Sequence, residues 1–155
     1  MTTSVISRKA GKAVTKPNSV WTIGYAGRSL TDFIEVLRDA GIRRVVDVRE
    51  LPLSRRKGFS KTSLSEALAA ADIEYVHLRV AGNPFREQKA DIETCLRLYA
   101  GHVDHHPEVL REVEKAIAGT KAALLCFEER PSECHRSVLI DRLLRGHPER
   151  KVRHL

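Results

Sequence analysis

The chain has 155 residues, 42% of them hydrophobic and 30% charged, a size and balance that fit one globular domain with its own core. No apolar run approaches the roughly 20 residues that span a bilayer, and residues 1–19 hold no apolar segment of the kind a secretory signal needs, so a cytoplasmic protein with no membrane partner is expected. Three cysteines without framework spacing point to reduced thiols, and the net charge of +7 informs on partners only where it is localised.

It is localised from the start of the chain. Arg8, Lys9, Lys12 and Lys16 give residues 1–19 four positive charges and no acid, and with Gly11, Pro17 and Asn18 that segment reads as a disordered basic tail. A single domain then occupies residues 20–155. Val20-Trp21-Thr22-Ile23 is a short strand ending at Gly24. Ser29, with Asp32 three residues on, starts a helix whose apolar face is Leu30, Phe33, Ile34, Leu37 and Ala40, and Gly41 stops it. Arg43 to Val48 is a second strand. The polar loop after it is longer than most connections, and long loops in compact domains tend to be functional. It carries Arg49, Arg55, Arg56, Lys57 and Lys61 against Glu50 alone.

Ser63 with Glu66 opens the next helix, Ile73 to Leu78 forms a third strand, and Ala81-Gly82-Asn83-Pro84 is a turn. Two helices follow, Ala90 to Ala100 stopped by Gly101 and Pro107 to Ala118 stopped by Gly119, with Cys95 read as core and His102, Asp104, His105 and His106 as a polar interhelix loop. Lys121 to Phe127 is the most apolar strand. A polar loop leads to Cys134-His135-Arg136 at the first turn of a helix that runs to Leu144, and Val152 to Leu155 makes a short last strand. Basic residues cluster again in Arg145, Arg150, Lys151 and Arg153.

Strand–helix alternation of this kind predicts a three-layer α/β fold, a mainly parallel β-sheet flanked by helices on both faces. Ligands of such sheets bind beyond the carboxyl ends of the strands. The unusual polar residues fall there: Tyr25 and Arg28 after the first strand, Asp47 and Arg49 at the second, His77 at the third, and Glu128 to Arg136 after the fourth.

A thiol near a helix start, flanked by His135 and Arg136, has the surroundings that lower a cysteine pKa and attract anions. Cys134, Glu128 and His135 are therefore the candidates for thiolate or acid–base chemistry. Tyr25, Arg28, Asp47, Arg49, Arg55, Arg56, Lys61, His77 and Arg136 are the candidates for holding a ligand, Asp47 orienting Arg49, and arginine suiting planar recognition of phosphate or carboxylate. Cys126, Cys134, His135 and His77 can in principle converge, but neither they nor the His102–His106 group has zinc spacing, so no metal site is expected. No cofactor is expected either, because the glycine pattern of dinucleotide binding is absent.

Several of these segments together resemble a known family. Thr22-Ile23-Gly24-Tyr25-Ala26-Gly27-Arg28-Ser29-Leu30, Asp47-Val48-Arg49 with Pro52, Ser54-Arg55-Arg56, Gly58-Phe59-Ser60-Lys61, Tyr75 with His77, Gly82-Asn83-Pro84, Leu124 to Glu128, Pro131, Cys134-His135-Arg136 and Val152-Arg153-His154-Leu155 are similar to the prokaryotic domain-of-unknown-function family 488 over about 20–155. The resemblance implies an α/β fold and a shared pocket without an established activity. Many members carry His-Ser where this chain has Tyr25-Ala26. Two functions stay open: a pocket for an anionic small molecule, with or without catalysis, and a nucleic-acid-binding module that breaks no bonds. The sequence decides neither enzyme activity nor oligomeric state.

Overall fold

The computed structural model describes residues 19–86 and 90–155. Residues 1–18 of the expected basic tail lie outside that range. Among the described residues, strands β1 (Ser19–Gly24), β2 (Arg44–Asp47), β3 (Glu74–His77), β4 (Ala122–Cys126) and β5 (Lys151–His154) form one sheet in the order β3-β2-β4-β1-β5, every pair parallel. Helices α1 (Leu30–Asp39), α2 (Lys61–Ala70), α3 (Ile92–His105), α4 (Pro107–Ile117) and α5 (Arg136–Gly146) flank it. No helix among the described residues is long and apolar enough to cross a membrane.

The two-residue period of the strands builds two cores. Trp21, Ile23, Val45, Ala123 and Leu125 meet Phe33 and Leu37 of α1 and Leu64 and Leu68 of α2 on one face. Val20, Val46, Ala122, Leu124 and Cys126 meet residues of α3, α4 and α5 on the other, so every residue of central β4 is buried. The helices after β1 and β2 thus cover one face and those after β3 and β4 the other. Strand β4 lies between β1 and β2, and its outgoing chain leaves to the opposite face from theirs. A crevice opens at the carboxyl end of the sheet where neighbouring connections diverge in this way.

The Ser29 cap forms as expected, its Oγ accepting the Asp32 N–H at 3.1 Å. Several boundaries differ from the sequence reading, and three have a clear cause. Helix α2 starts at Lys61 rather than Ser63, because Ser60 takes the extended cap conformation (φ −78°, ψ 156°). The Ser60 hydroxyl instead closes the long loop, accepting the Ser54 N–H at 3.0 Å and donating to Ser54 O at 3.2 Å. Helix α3 runs through Gly101 to His105, since Tyr99 and Val103 continue its buried face. Packing outweighs a glycine penalty of about 1 kcal/mol. His102, Asp104 and His105 are therefore helical, and the Nδ1–H groups of His105 and His106 donate to Gly101 O and His102 O at 2.7 and 2.8 Å. Helix α5 begins at Arg136, after a 3₁₀ turn at Pro131–Glu133, which leaves Cys134 extended (φ −125°, ψ 147°) just ahead of it.

Candidate functional site

Backbone pairing continues past the strands and aligns their exits. Tyr25 N–H reaches Cys126 O at 3.3 Å, Ala26 N–H reaches Phe127 O at 2.9 Å, Val48 N–H reaches Leu125 O at 3.0 Å, and Leu78 N–H reaches Asp47 O at 2.9 Å. Above this edge lies a cavity of about 690 Å³. Tyr25 to Gly27 line it from β1, the loop after β2 from a second side, and Cys126 to Glu128 with Glu133 and His135 from β4. Asn83, Arg86 and the start of α3, including Cys95, complete the wall, so Cys95 is half-buried there rather than core.

The β2 wall is fixed from inside. Asp47 is fully buried, and its two oxygens take Arg49 Nε at 2.8 Å and Nη2 at 2.7 Å as a bidentate pair. Arg49 Nη1 donates to Phe59 O at 2.8 Å and to the Tyr25 hydroxyl at 3.3 Å. Burial works against the Arg49 charge, but the hydrogen bonds and charge of Asp47 outweigh it and hold the guanidinium pKa above its ordinary value. Tyr75 donates to Asp47 Oδ2 at 2.5 Å, and burial followed by the Asp47 charge pushes its pKa up. His77 Nε2–H donates to Arg49 O at 2.8 Å. Phe59 stacks on Tyr25 with centroids 4.5 Å apart and meets Phe33 edge-on at 5.2 Å, pinning the long loop to the core. Arg49 thus turns its donors and its charge inward, as Asp47 permits, so that although it borders the cavity the exposed cations of this loop there are Arg55 and Arg56.

The β4 wall carries sulfur and imidazole. His135 Nε2–H donates to Val48 O at 2.8 Å, across the β2–β4 gap, which turns Nδ1 toward two sulfurs. That nitrogen lies 3.7 Å from Cys126 Sγ and 3.7 Å from Cys134 Sγ. The Cys134 sulfur accepts Arg136 N–H at 3.4 Å and Nε–H at 3.3 Å, while Arg136 Nη2 donates to Glu128 O at 2.5 Å. Arg136 is 1% exposed, and no carboxylate pairs with it among the described residues. A buried guanidinium favours a nearby counter-charge, and the Cys134 sulfur that accepts its Nε–H is the group placed to carry one. Burial opposes that ionisation, but hydrogen bonds from Cys126 and His135 and the charges of His135 and Arg136 outweigh it, setting Cys134 well below the ordinary thiol value. Cys126 moves the other way, raised by its hydrogen bond to Cys134 and by burial. Glu128 is raised by burial and then by the Cys134 charge, and its Oε1 accepts from Cys126 Sγ at 3.5 Å.

The expected residues therefore divide. Tyr25, Arg49, Arg55, Arg56, Glu128 and His135 share the cavity. Cys134, Arg136 and Asp47 lie buried behind its walls. Arg28, Lys61 and His77 are outside it: Arg28 donates to Gly24 O at 3.1 Å and shares a separate depression with Arg56 and Lys57, Lys61 is exposed at the start of α2, and His77 faces the Arg49 backbone. Glu128 meets Arg136 through its backbone carbonyl rather than as an ion pair. The sequence reading weighs Cys126 only as a convergent metal donor, set aside for lack of zinc spacing, and leaves it out of the catalytic and ligand-holding sets. The signal was its place as the last residue of β4, on the same face as Leu124.

The family model for the domain of unknown function DUF488 matches residues 29–143, well over half of the chain. The chain belongs to this family. No curated protein and no solved structure matches it. Within the DUF488 span lie Asp47, Arg49, Cys126, Glu128 and the Cys134–Arg136 segment, while β1 with Tyr25 and β5 fall outside it, so the family match is narrower than the resemblance read over 20–155.

Proposed function

We propose that this DUF488 domain binds a small molecule with an anionic group and an apolar body in the cavity at the carboxyl edge of its sheet. The observation that carries this reading is where most of the exposed large apolar side chains sit. Of six among the described residues, Leu51, Leu53, Ile92 and Phe127, at 41%, 70%, 51% and 46% exposed, line this one cavity, while Val80 and Leu98 lie outside it. Large apolar side chains gathered at a concave mouth are what a ligand body covers. Arg55 and Arg56 supply the anion-recognising side, and Cys126, Glu128 and His135 meet the opposite end of the ligand with a thiol, a carboxyl and an imidazole.

Phenyl phosphate, adenosine monophosphate and inorganic phosphate, titrated by calorimetry, separate the two parts of the ligand. The organic phosphates are expected to bind more tightly than inorganic phosphate. The double variant Arg55→Gln with Arg56→Gln is expected to weaken them by about tenfold or more, the loss of at least one charge-assisted contact. Equal affinity for all three, or no effect of the double variant, contradicts the reading. A nucleic-acid-binding role instead predicts affinity for single-stranded or duplex oligonucleotides that falls steeply with salt, with phenyl phosphate failing to compete.

A further inference from the structure

We propose that Cys126, Cys134 and His135 form a binding site for one zinc-class divalent cation, its open coordination position facing the cavity. The two sulfurs and Nδ1 all lie within 4.8 Å of one another, the one such donor cluster among the described residues. Tetrahedral zinc holds sulfur at about 2.3 Å and nitrogen at about 2.0–2.1 Å, which separates the two donor types by about 3.6 Å. Both sulfur–Nδ1 distances here are 3.7 Å, which matches that separation for each sulfur.

The surroundings suit a metal in three further ways. The imidazole is already aimed, because Nε2–H is held by Val48 O and the ring meets Tyr99 edge-on at 5.0 Å. A backbone carbonyl on the far nitrogen is the device that orients metal-bound histidines. The charges also balance: two thiolates and the Glu128 carboxylate that faces Cys126 offset a dication and the buried Arg136, which lets the group stay buried. The Cys134 sulfur already accepts the backbone N–H and Nε–H of the buried Arg136, contacts that favour its anionic form as a ligand. The Cys126 proton leaves through the Glu128 carboxylate that the thiol faces.

Spacing argued against this cluster in the sequence because two of its donors are consecutive. Cys134 is extended and His135 takes a helical conformation (φ −60°, ψ −13°), and that change of backbone brings neighbouring side chains to one point. Cys126 and His135 both border the cavity, so the fourth position opens toward it. Three protein donors with an open position is the composition of a catalytic rather than a structural zinc site. The cation is the floor of the cavity assigned to the ligand above, yet its binding stands without that ligand.

Cobalt titration of the full chain, reduced and freed of metal by a chelator, tests this directly. One equivalent is expected to give sulfur-to-cobalt charge transfer and the intense visible bands of four-coordinate cobalt, both bleached by zinc. Cys126→Ser and His135→Asn are expected to lose the bands while Cys95→Ser keeps them, with circular dichroism confirming that each variant is folded. Alkylation of Cys126 is expected to slow about 100-fold at zinc one hundred times its Kd. A reduced wild-type chain without charge transfer, bands that survive in folded Cys126→Ser and His135→Asn, or alkylation indifferent to zinc each overturns the proposal. Phenyl phosphate titrated into the same zinc-free chain reports on the ligand separately.

Discussion

Asparagine at position 47 perturbs the internal brace of the candidate site with almost no change of shape. Asp47 is fully buried, Arg49 is 6% exposed, and two hydrogen bonds of 2.8 and 2.7 Å join them. A pair of this geometry on the surface contributes at most about 1 kcal/mol. Here Arg49 cannot shed its proton, so Asp47→Asn strands a charge in the interior, and breaking a buried pair in this way costs about 3–5 kcal/mol. With a urea m-value of about 2 kcal/mol per molar, the unfolding midpoint is expected to fall by about 1.5–2.5 M. The double variant Asp47→Asn with Arg49→Met removes the stranded charge and is expected to be less destabilised than the sum of the single variants. Urea unfolding followed by circular dichroism measures all four proteins. A single-variant loss below about 1 kcal/mol, or strict additivity, refutes the view that Arg49 serves Asp47 rather than solvent.

The close approach of two strand exits gives a second prediction. A Cβ at Gly24 falls 1.8 Å from Glu128 O, so Gly24→Ala is expected to cost at least about 3 kcal/mol in thermal unfolding, whereas Gly101→Ala, with nothing within 4 Å, is expected to stabilise α3 by about 0.5–1 kcal/mol. His154, bonded to Thr22 Oγ1 at 2.6 Å, has its pKa lowered by burial and then by the Arg136 charge, so the folded state binds its proton less readily than the unfolded chain does. Its contribution is complete above the ordinary value near 6.5 and is lost as pH falls through the depressed folded value. The Tm of His154→Gln is accordingly expected to depend less on pH below 7 than that of the wild type, and parallel curves contradict this. Zinc at one hundred times its Kd is expected to add about 2.7 kcal/mol of stability, a Tm rise of about 5–11 °C, and scanning calorimetry with and without Cys126→Ser checks that the gain comes from the thiols.

Strand positions were legible because runs such as Val45-Val46 and Leu124-Leu125 are bounded by turn residues, and the Ser29–Asp32 pair announced α1. That the polar groups meet at one edge followed from strand direction alone. The rest depended on packing that no local pattern encodes. Gly101 reads as a stop until Tyr99 and Val103 are seen to hold α3 to the core. Arg49 reads as a ligand-binding cation until its donors are found on Asp47, Tyr25 and Phe59. Cys126 and His135 are nine positions apart, and only the 3₁₀ turn at Pro131–Glu133 folds the intervening chain back so that Val48 O can orient the imidazole between two sulfurs.

A crystal structure of the full chain grown with phenyl phosphate tests the central claim most directly. The account predicts phosphate density within hydrogen-bond distance of Arg55 or Arg56, with the phenyl ring against Leu53 or Phe127. Phosphate ordered only at the α4–α5 surface near Arg150, or a cavity holding water alone at saturating ligand, contradicts it.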